Sequence, residues 1–171
     1  VQSYVDYYLP NDVEEILLLG SADLSAHGNI EDNTLIGNSG SNFLSGGWGA
    51  DILIGNEGDD YYYVDDANDV VVEAVDASGG LDTVESEVSY TLGEGVENLT
   101  LTYWAGISNG TGNGFDNVLL GNYDTNYLNG KGGADEMIGY DGDDFYIVDD
   151  SGDVVTEYSY GGTDTVRSYV S

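Results

Sequence analysis

Glycine returns every nine residues in two separate blocks of this chain. The first block reads GNIEDNTLI, GNSGSNFLS, GGWGADILI and GNEGDDYYY, starting at Gly28, Gly37, Gly46 and Gly55. The second reads GNGFDNVLL, GNYDTNYLN, GKGGADEMI and GYDGDDFYI, starting at Gly112, Gly121, Gly130 and Gly139. Position 6 runs Asn, Asn, Asp, Asp in both: Asn33, Asn42, Asp51 and Asp60, then Asn117, Asn126, Asp135 and Asp144. Position 8 is Leu35, Leu44, Leu53 and Tyr62, then Leu119, Leu128, Met137 and Tyr146. A glycine-rich turn of six residues admits left-handed or crowded backbone where a Cβ would clash. The next three residues suffice for a short strand whose middle side chain points inward. Two nonapeptides then make one coil of about 18 residues, and a coil buries its apolar face only by stacking on its neighbours. The beat therefore predicts an all-β, parallel β-solenoid.

A longer repeat contains the short one. VQSYVDYYL (1–9) matches VESEVSYTL (84–92), and VRSYVS (166–171) opens the same motif again. EGDDYYYVDD pairs with DGDDFYIVDD, and NDVVVE with GDVVTE. The expected organisation is two tandem units, 1–83 and 84–165, with 166–171 beginning a third; their nonapeptides span 28–63 and 112–147. In the segment between the blocks, Val84, Ser86, Val88, Tyr90 and Leu92 alternate as a strand would, and Val96, Leu99 and Leu101 follow a GEG turn. Continuation of the solenoid and packing across it are both open from this pattern.

Charge narrows the partners. Against 33 acidic residues stand only Lys131 and Arg167, a formal charge of −31. Such a polyanion repels nucleic acid and anionic membrane surfaces, so a cation is the expected partner. Acidity with low hydrophobicity would mean disorder; here 40% of residues are apolar and 15 are Tyr, so folding is expected to wait for neutralisation of charge. There is no Cys to form disulfides or thiolate metal sites, and no apolar run is long enough to span a membrane. His27 is the sole His and is expected to be a solvated turn residue. No nucleophile elbow or zinc-ligand motif is present. Carboxylate pairs such as Asp59–Asp60 recur in both blocks, which suits a structural metal role better than glycosidase chemistry. No enzymatic activity is expected.

Residues 46–54, GGWGADILI, match the pattern GGxGxDxUx (U a large apolar residue) at every defined position, and the nonapeptides at 55, 130 and 139 miss only the second glycine. The array resembles the RTX (repeats-in-toxin) region of large secreted bacterial proteins. That resemblance implies a β-roll holding Ca²⁺ between turns two repeats apart, where carboxylates and backbone carbonyls supply the six to eight oxygens a hard dication takes. Carried onto this chain, the ligand-bearing positions are Gly28 and Asn33; Gly37, Gly40 and Asn42; Gly46, Gly47, Gly49 and Asp51; and Gly55, Asn56, Gly58 and Asp60. In the second block they are Gly112 and Asn117; Gly121 and Asn126; Gly130, Lys131, Gly133 and Asp135; and Gly139, Tyr140, Gly142 and Asp144. The implied pairs are Asn33 with Asp51, Asn42 with Asp60, Asn117 with Asp135 and Asn126 with Asp144, and the neutral Asn oxygen should make them weaker than Asp–Asp sites. Asp66 and Asp69, with Asp150 and Asp153, are expected to complete sites against the last turns. About two to four ions per unit are expected, at extracellular-type affinities near 10⁻⁴–10⁻³ M. Tyr62 and Tyr146 should cover the end of the apolar column while their hydroxyls reach polar groups at its margin.

The resemblance further implies a monomeric, secreted or surface-associated module that crosses a type I export channel unfolded, folds outside the cell in calcium, and acts as a spacer in a larger protein. A second class remains open: a carbohydrate-binding or adhesive module, since the non-catalytic modules of alginate epimerases resemble this architecture. With Lys131 and Arg167 as the only cations, direct capture of an acidic polysaccharide or cell surface is disfavoured unless calcium bridges it.

Overall fold

The computed structural model describes residues 1–75, 79–158 and 161–171. They form two compact units: Val1–Val84 with Gly93–Gly95, and Glu85–Leu92 with Val96–Ser171. The first holds β1 (Gln2–Ser3), β2 (Tyr7–Tyr8), β3 (Glu15–Leu18), β4 (Ser25–His27), β5 (Thr34–Ile36), β6 (Phe43–Ser45), β7 (Ile52–Ile54), β8 (Tyr61–Val64) and β9 (Val70–Val72). The chain passes from one unit to the other within β10 (Thr83–Ser86). The second holds β11 (Tyr90–Thr91), β12 (Asn98–Leu101), β13 (Ser108–Thr111), β14 (Val118–Leu120), β15 (Asn126–Asn129), β16 (Glu136–Ile138), β17 (Phe145–Val148), β18 (Val154–Thr156) and β19 (Thr165–Ser168). One 3₁₀ turn, Tyr103–Ala105, is the only helix among the described residues.

Each unit is a parallel β-solenoid. In the first, the odd strands stack as β1-β3-β5-β7-β9 and the even strands as β2-β4-β6-β8. In the second the stacks are β11-β13-β15-β17-β19 and β12-β14-β16-β18. Successive strands therefore alternate between two sheets, one strand per nonapeptide. The register sets position 8 on position 8: Leu35 pairs with Leu53, Leu44 with Tyr62, Leu119 with Met137 and Leu128 with Tyr146. All eight of these side chains are fully buried, at 0% exposure. Burying one Leu is worth about 1.5–3 kcal/mol, so the column of position-8 residues is the main apolar term in each stack.

The flanking segments continue the roll. β1 pairs with β3, β2 with β4, β11 with β13 and β12 with β14, all parallel. Val84, Leu99 and Leu101 are buried as their alternation predicts. Val88 departs from it, because Ser86 Oγ accepts the Val88 N–H and donates to the Val88 carbonyl, turning the chain. Ser3 does the same at Val5, and Ser168 at Val170. The recurring Ser-x-Val of the long repeat is thus a corner.

His27 is a strand residue, contrary to the turn expected for it. Its ring stacks on Tyr8 at 4.0 Å and 3° and meets Phe43 at 5.4 Å, with Tyr61 stacked beyond Phe43 at 5.8 Å. The parallel register aligns Tyr8 with His27 and Phe43 with Tyr61, and the two pairs join into one aromatic row only where the His27 and Phe43 rings meet on the diagonal. Burial holds the imidazole below its usual pKa while Asp6 pulls the other way. A lone histidine in a Gly-rich segment carries no sign of this until the register is known.

Candidate metal centre

Turns of one edge lie 18 residues apart and are tied through position 6. The Asn33, Asn42, Asn117 and Asn126 N–H groups donate to Oδ1 of Asp51, Asp60, Asp135 and Asp144, at 2.6–2.8 Å. The four expected pairs are therefore neighbours. Their two members are used differently, and the turns fall into two kinds.

In the turns from Gly28, Gly37, Gly112 and Gly121 the amides close on themselves. Each position-6 Asn Oδ1 accepts the N–H of position 2 at 2.7–2.8 Å: Asn29, Asn38, Asn113 and Asn122. The position-2 Asn side chains reach down to carbonyls of the chain below. Asn29 donates to Pro10 and Val13, Asn38 to Leu19 and Ala22, Asn113 to Val96, and Asn122 to Thr102 and Gly106. Amide N–H groups thus engage inward-facing carbonyls, as a bound cation would.

The turns from Gly46, Gly55, Gly130 and Gly139 have a different backbone. Position 2 is left-handed in all of them: Gly47 at φ 82°, Asn56 at 80°, Lys131 at 65° and Tyr140 at 73°. Position 4 follows, with Gly49, Gly58, Gly133 and Gly142 at φ 110–125°. A side chain held left-handed costs roughly 1–2 kcal/mol, so three non-glycine residues there show how strictly the turn is imposed. A Cβ on Gly49 would lie 2.8 Å from the Glu31 carbonyl oxygen, on Gly58 2.8 Å from that of Gly40, and on Gly142 2.7 Å from that of Asp124. Below each bare glycine, then, a carbonyl points up.

The second carboxylate oxygen of position 6 lies beside position 1 of the same turn, where a Cβ on Gly46, Gly55, Gly130 or Gly139 would overlap it. Oδ2 of Asp51, Asp60, Asp135 and Asp144 is buried and has no hydrogen-bond partner among the described residues. The residues themselves are at most 2% exposed. Burial pushes the Asp51 carboxyl up to about 7, with Asp69, Asp65 and Asp32 adding to the rise and the Asn33 N–H opposing it. Asp60 rises to about 7 for the same leading reason, with Asp59 adding. Asp135 and Asp144 rise to about 6, again chiefly by burial. An ionised buried carboxylate oxygen with no donor is costly; together with the carbonyls that the same turns pass over, it offers the hard oxygens a hard dication takes.

The family model for the RTX calcium-binding nonapeptide repeat, four copies long, matches residues 27–62, 111–146 and 120–155. The chain is an RTX β-roll repeat region. No curated protein matches it in sequence. The donor set of the Asp turns fits Ca²⁺, the ion that RTX repeats bind, and the chain is calcium-binding on that ground.

The RTX edges extend past the nonapeptides. Asp69 and Asp153 Oδ1 accept the Asp51 and Asp135 N–H groups, so these two close the edges that run through Gly46 and Gly130. Asp66 and Asp150 are not brought in: their Oδ1 atoms accept the Asn68 and Gly152 N–H groups in local turns. At the turn the Lys131 N–H donates to Asn129 Oδ1, and the Tyr140 ring stacks on Tyr158 at 5.9 Å. Asn56 keeps a link downward, donating to the Gly37 carbonyl at 2.9 Å. Four carboxylates outside the expected set also reach these edges. Asp82 and Asp164 Oδ1 accept the Asp60 and Asp144 N–H groups, and Glu73 and Glu157 accept the hydroxyls of Tyr62 and Tyr146. Their signal lay in the long repeat, since Glu73 and Glu157 end NDVVVE and GDVVTE.

Proposed function

We propose that this RTX region is a metal-triggered folding module, with sites in the Asp turns and the Gly-rich positions named above, arranged as tandem units 1–83 and 84–165. The observation that carries the reading is the buried, partnerless Oδ2 in each of four Asp turns. Without a cation these oxygens oppose burial, and with one they hold successive coils together, so binding and folding are one event. The net charge of −31 keeps the calcium-free chain expanded and soluble. RTX repeats are typical of secreted bacterial proteins; extracellular folding after type I export, and a spacer role without catalysis in a larger protein, follow as the biological use. An isolated monomer suffices for this role. No helix among the described residues is long and apolar enough to cross a membrane. The carbohydrate reading gains nothing from the aromatic row, because Tyr61 stacks its face on Phe43 at 15° instead of offering it to a sugar.

The test is a calcium titration followed by far-UV circular dichroism, with magnesium as control. The expected result is a cooperative gain of β signal specific to calcium. A calcium-free spectrum already rich in β structure, or an equal response to magnesium, would overturn the reading.

A further inference from the structure

We propose that each unit holds a calcium ion beyond its last nonapeptide, in an exit site that shares one Asp with the last nonapeptide pair: Asp60 with Glu73 and Asp82 in the first unit, and Asp144 with Glu157 and Asp164 in the second. In each group one carboxylate oxygen per residue lies within 4.8 Å of the other two. Asp60 is 2% exposed, Asp82 0% and Asp144 1%. Asp60 Oδ2, Asp144 Oδ2 and Glu157 Oε2 are buried with no hydrogen-bond partner among the described residues. Within each unit, the Asp oxygen lies beside the first glycine of the last turn. A Cβ on Gly55 would overlap Asp60 Oδ2, Glu73 Oε1 and the Tyr62 hydroxyl together, and one on Gly139 would overlap Asp144 Oδ2 and the Tyr146 hydroxyl.

The tyrosine at position 8 is the positioning residue. Tyr62 and Tyr146 are fully buried, and each donates its hydroxyl to a glutamate 11 residues later. Leu at this position, as in the preceding turns, fills the column equally well but cannot hold a carboxylate. That explains why both blocks end on Tyr where the earlier turns carry Leu or Met.

The first unit contains no Lys or Arg of its own to compensate this site. Three like charges this close are sustained only by protons or by a bound cation. Carboxylates on three separate segments, adjustable in reach, suit the flexible oxygen shell of calcium better than the tight octahedron of magnesium.

This inference rests on the calcium-binding reading above but names ligands which that reading does not need. The test is the number of ions bound per chain at pH 8, by calorimetry and by equilibrium dialysis against ⁴⁵Ca²⁺, for the whole chain and for Glu73→Gln, Glu157→Gln and the double variant. Each single variant should lose one ion and the double variant two, with the β signal in saturating calcium retained. An unchanged count in a folded double variant overturns the exit site and leaves the turn sites standing; absence of calcium binding by the parent chain overturns both. Should the Gln variants not fold, Tyr62→Phe with Tyr146→Phe decides. These hydroxyl deletions should weaken two ions about 10–100-fold while leaving the count unchanged, and an unaltered isotherm overturns the site.

Discussion

At position 6, exchanging an amide for a carboxylate changes which turn the side chain serves. Asn42 closes its own turn: Oδ1 accepts from Asn38, and Nδ2 donates to Asn38 Oδ1 at 3.1 Å. Asn126 and Asn122 repeat the arrangement. Replacing Asn42 or Asn126 by Asp restores the family pattern on paper, yet sets a carboxylate oxygen against an amide oxygen in a buried place. The expected outcome is a loss of about 1–3 kcal/mol in urea unfolding at saturating calcium, with no ion gained; a stabilised Asn42→Asp that binds an additional ion would contradict it. Which oxygens stand free was not legible from the beat, because Asn and Asp occupy the same place in it. The difference arises one shell out, where a position-2 Asn or a left-handed residue decides what the position-6 side chain meets. The left-handed backbone at Asn56, Lys131 and Tyr140 was not legible from position alone, since Asn29, Asn38, Asn113 and Asn122 also stand where the pattern has its second glycine and are not left-handed.

The turn and its three-residue strand answer to different rules. Strand identity, inward residue and register followed from the period alone, because position 8 has only one face to occupy and stacking puts it above its copy. In the turns, the glycines divide by what lies under them. Gly49 has φ 124° and a Cβ there would sit 2.8 Å from the Glu31 carbonyl oxygen, whereas Gly132 would meet nothing within 4 Å. Gly49→Ala should therefore cost about 2–4 kcal/mol and weaken calcium binding, while Gly132→Ala should stay within about 0.5 kcal/mol of the parent. Chemical unfolding of the two variants side by side checks this, and equal stabilities would refute the imposed turn. The strand β9 and its successor show the limit of period reasoning. Glu73 lies beyond the nine-residue beat, so its approach to Tyr62 comes from where the coil returns, a tertiary matter that only the duplicated VVVE and VVTE segments hinted at.

For the whole chain, protons and calcium compete for the same carboxylates, so acid should imitate the metal. Asp51 and Asp60 are raised to about 7 and Asp135 and Asp144 to about 6, burial being the first cause in each. In the unfolded chain the same groups titrate near the ordinary 3.8. The folded form therefore binds more protons between those values, and its stability rises as pH falls through that window. Above about pH 7 the four groups are ionised in both states and their burial opposes folding in full. In EDTA, the far-UV spectrum at pH 8 should be that of a disordered chain, and lowering the pH to about 5 should bring in β signal. Calcium should have its largest effect at pH 8, where no proton offsets the charge, and its midpoint should move to higher concentration as protons take the sites. Removing the charge by substitution provides the control: Asp51→Asn with Asp135→Asn should raise the β content of the metal-free chain at pH 8 and flatten its response to acid. A metal-free spectrum that stays disordered from pH 8 to 5, in the parent and in this variant alike, would mean that repulsion spread over all 33 acidic residues, and not the four buried carboxylates, keeps the chain unfolded.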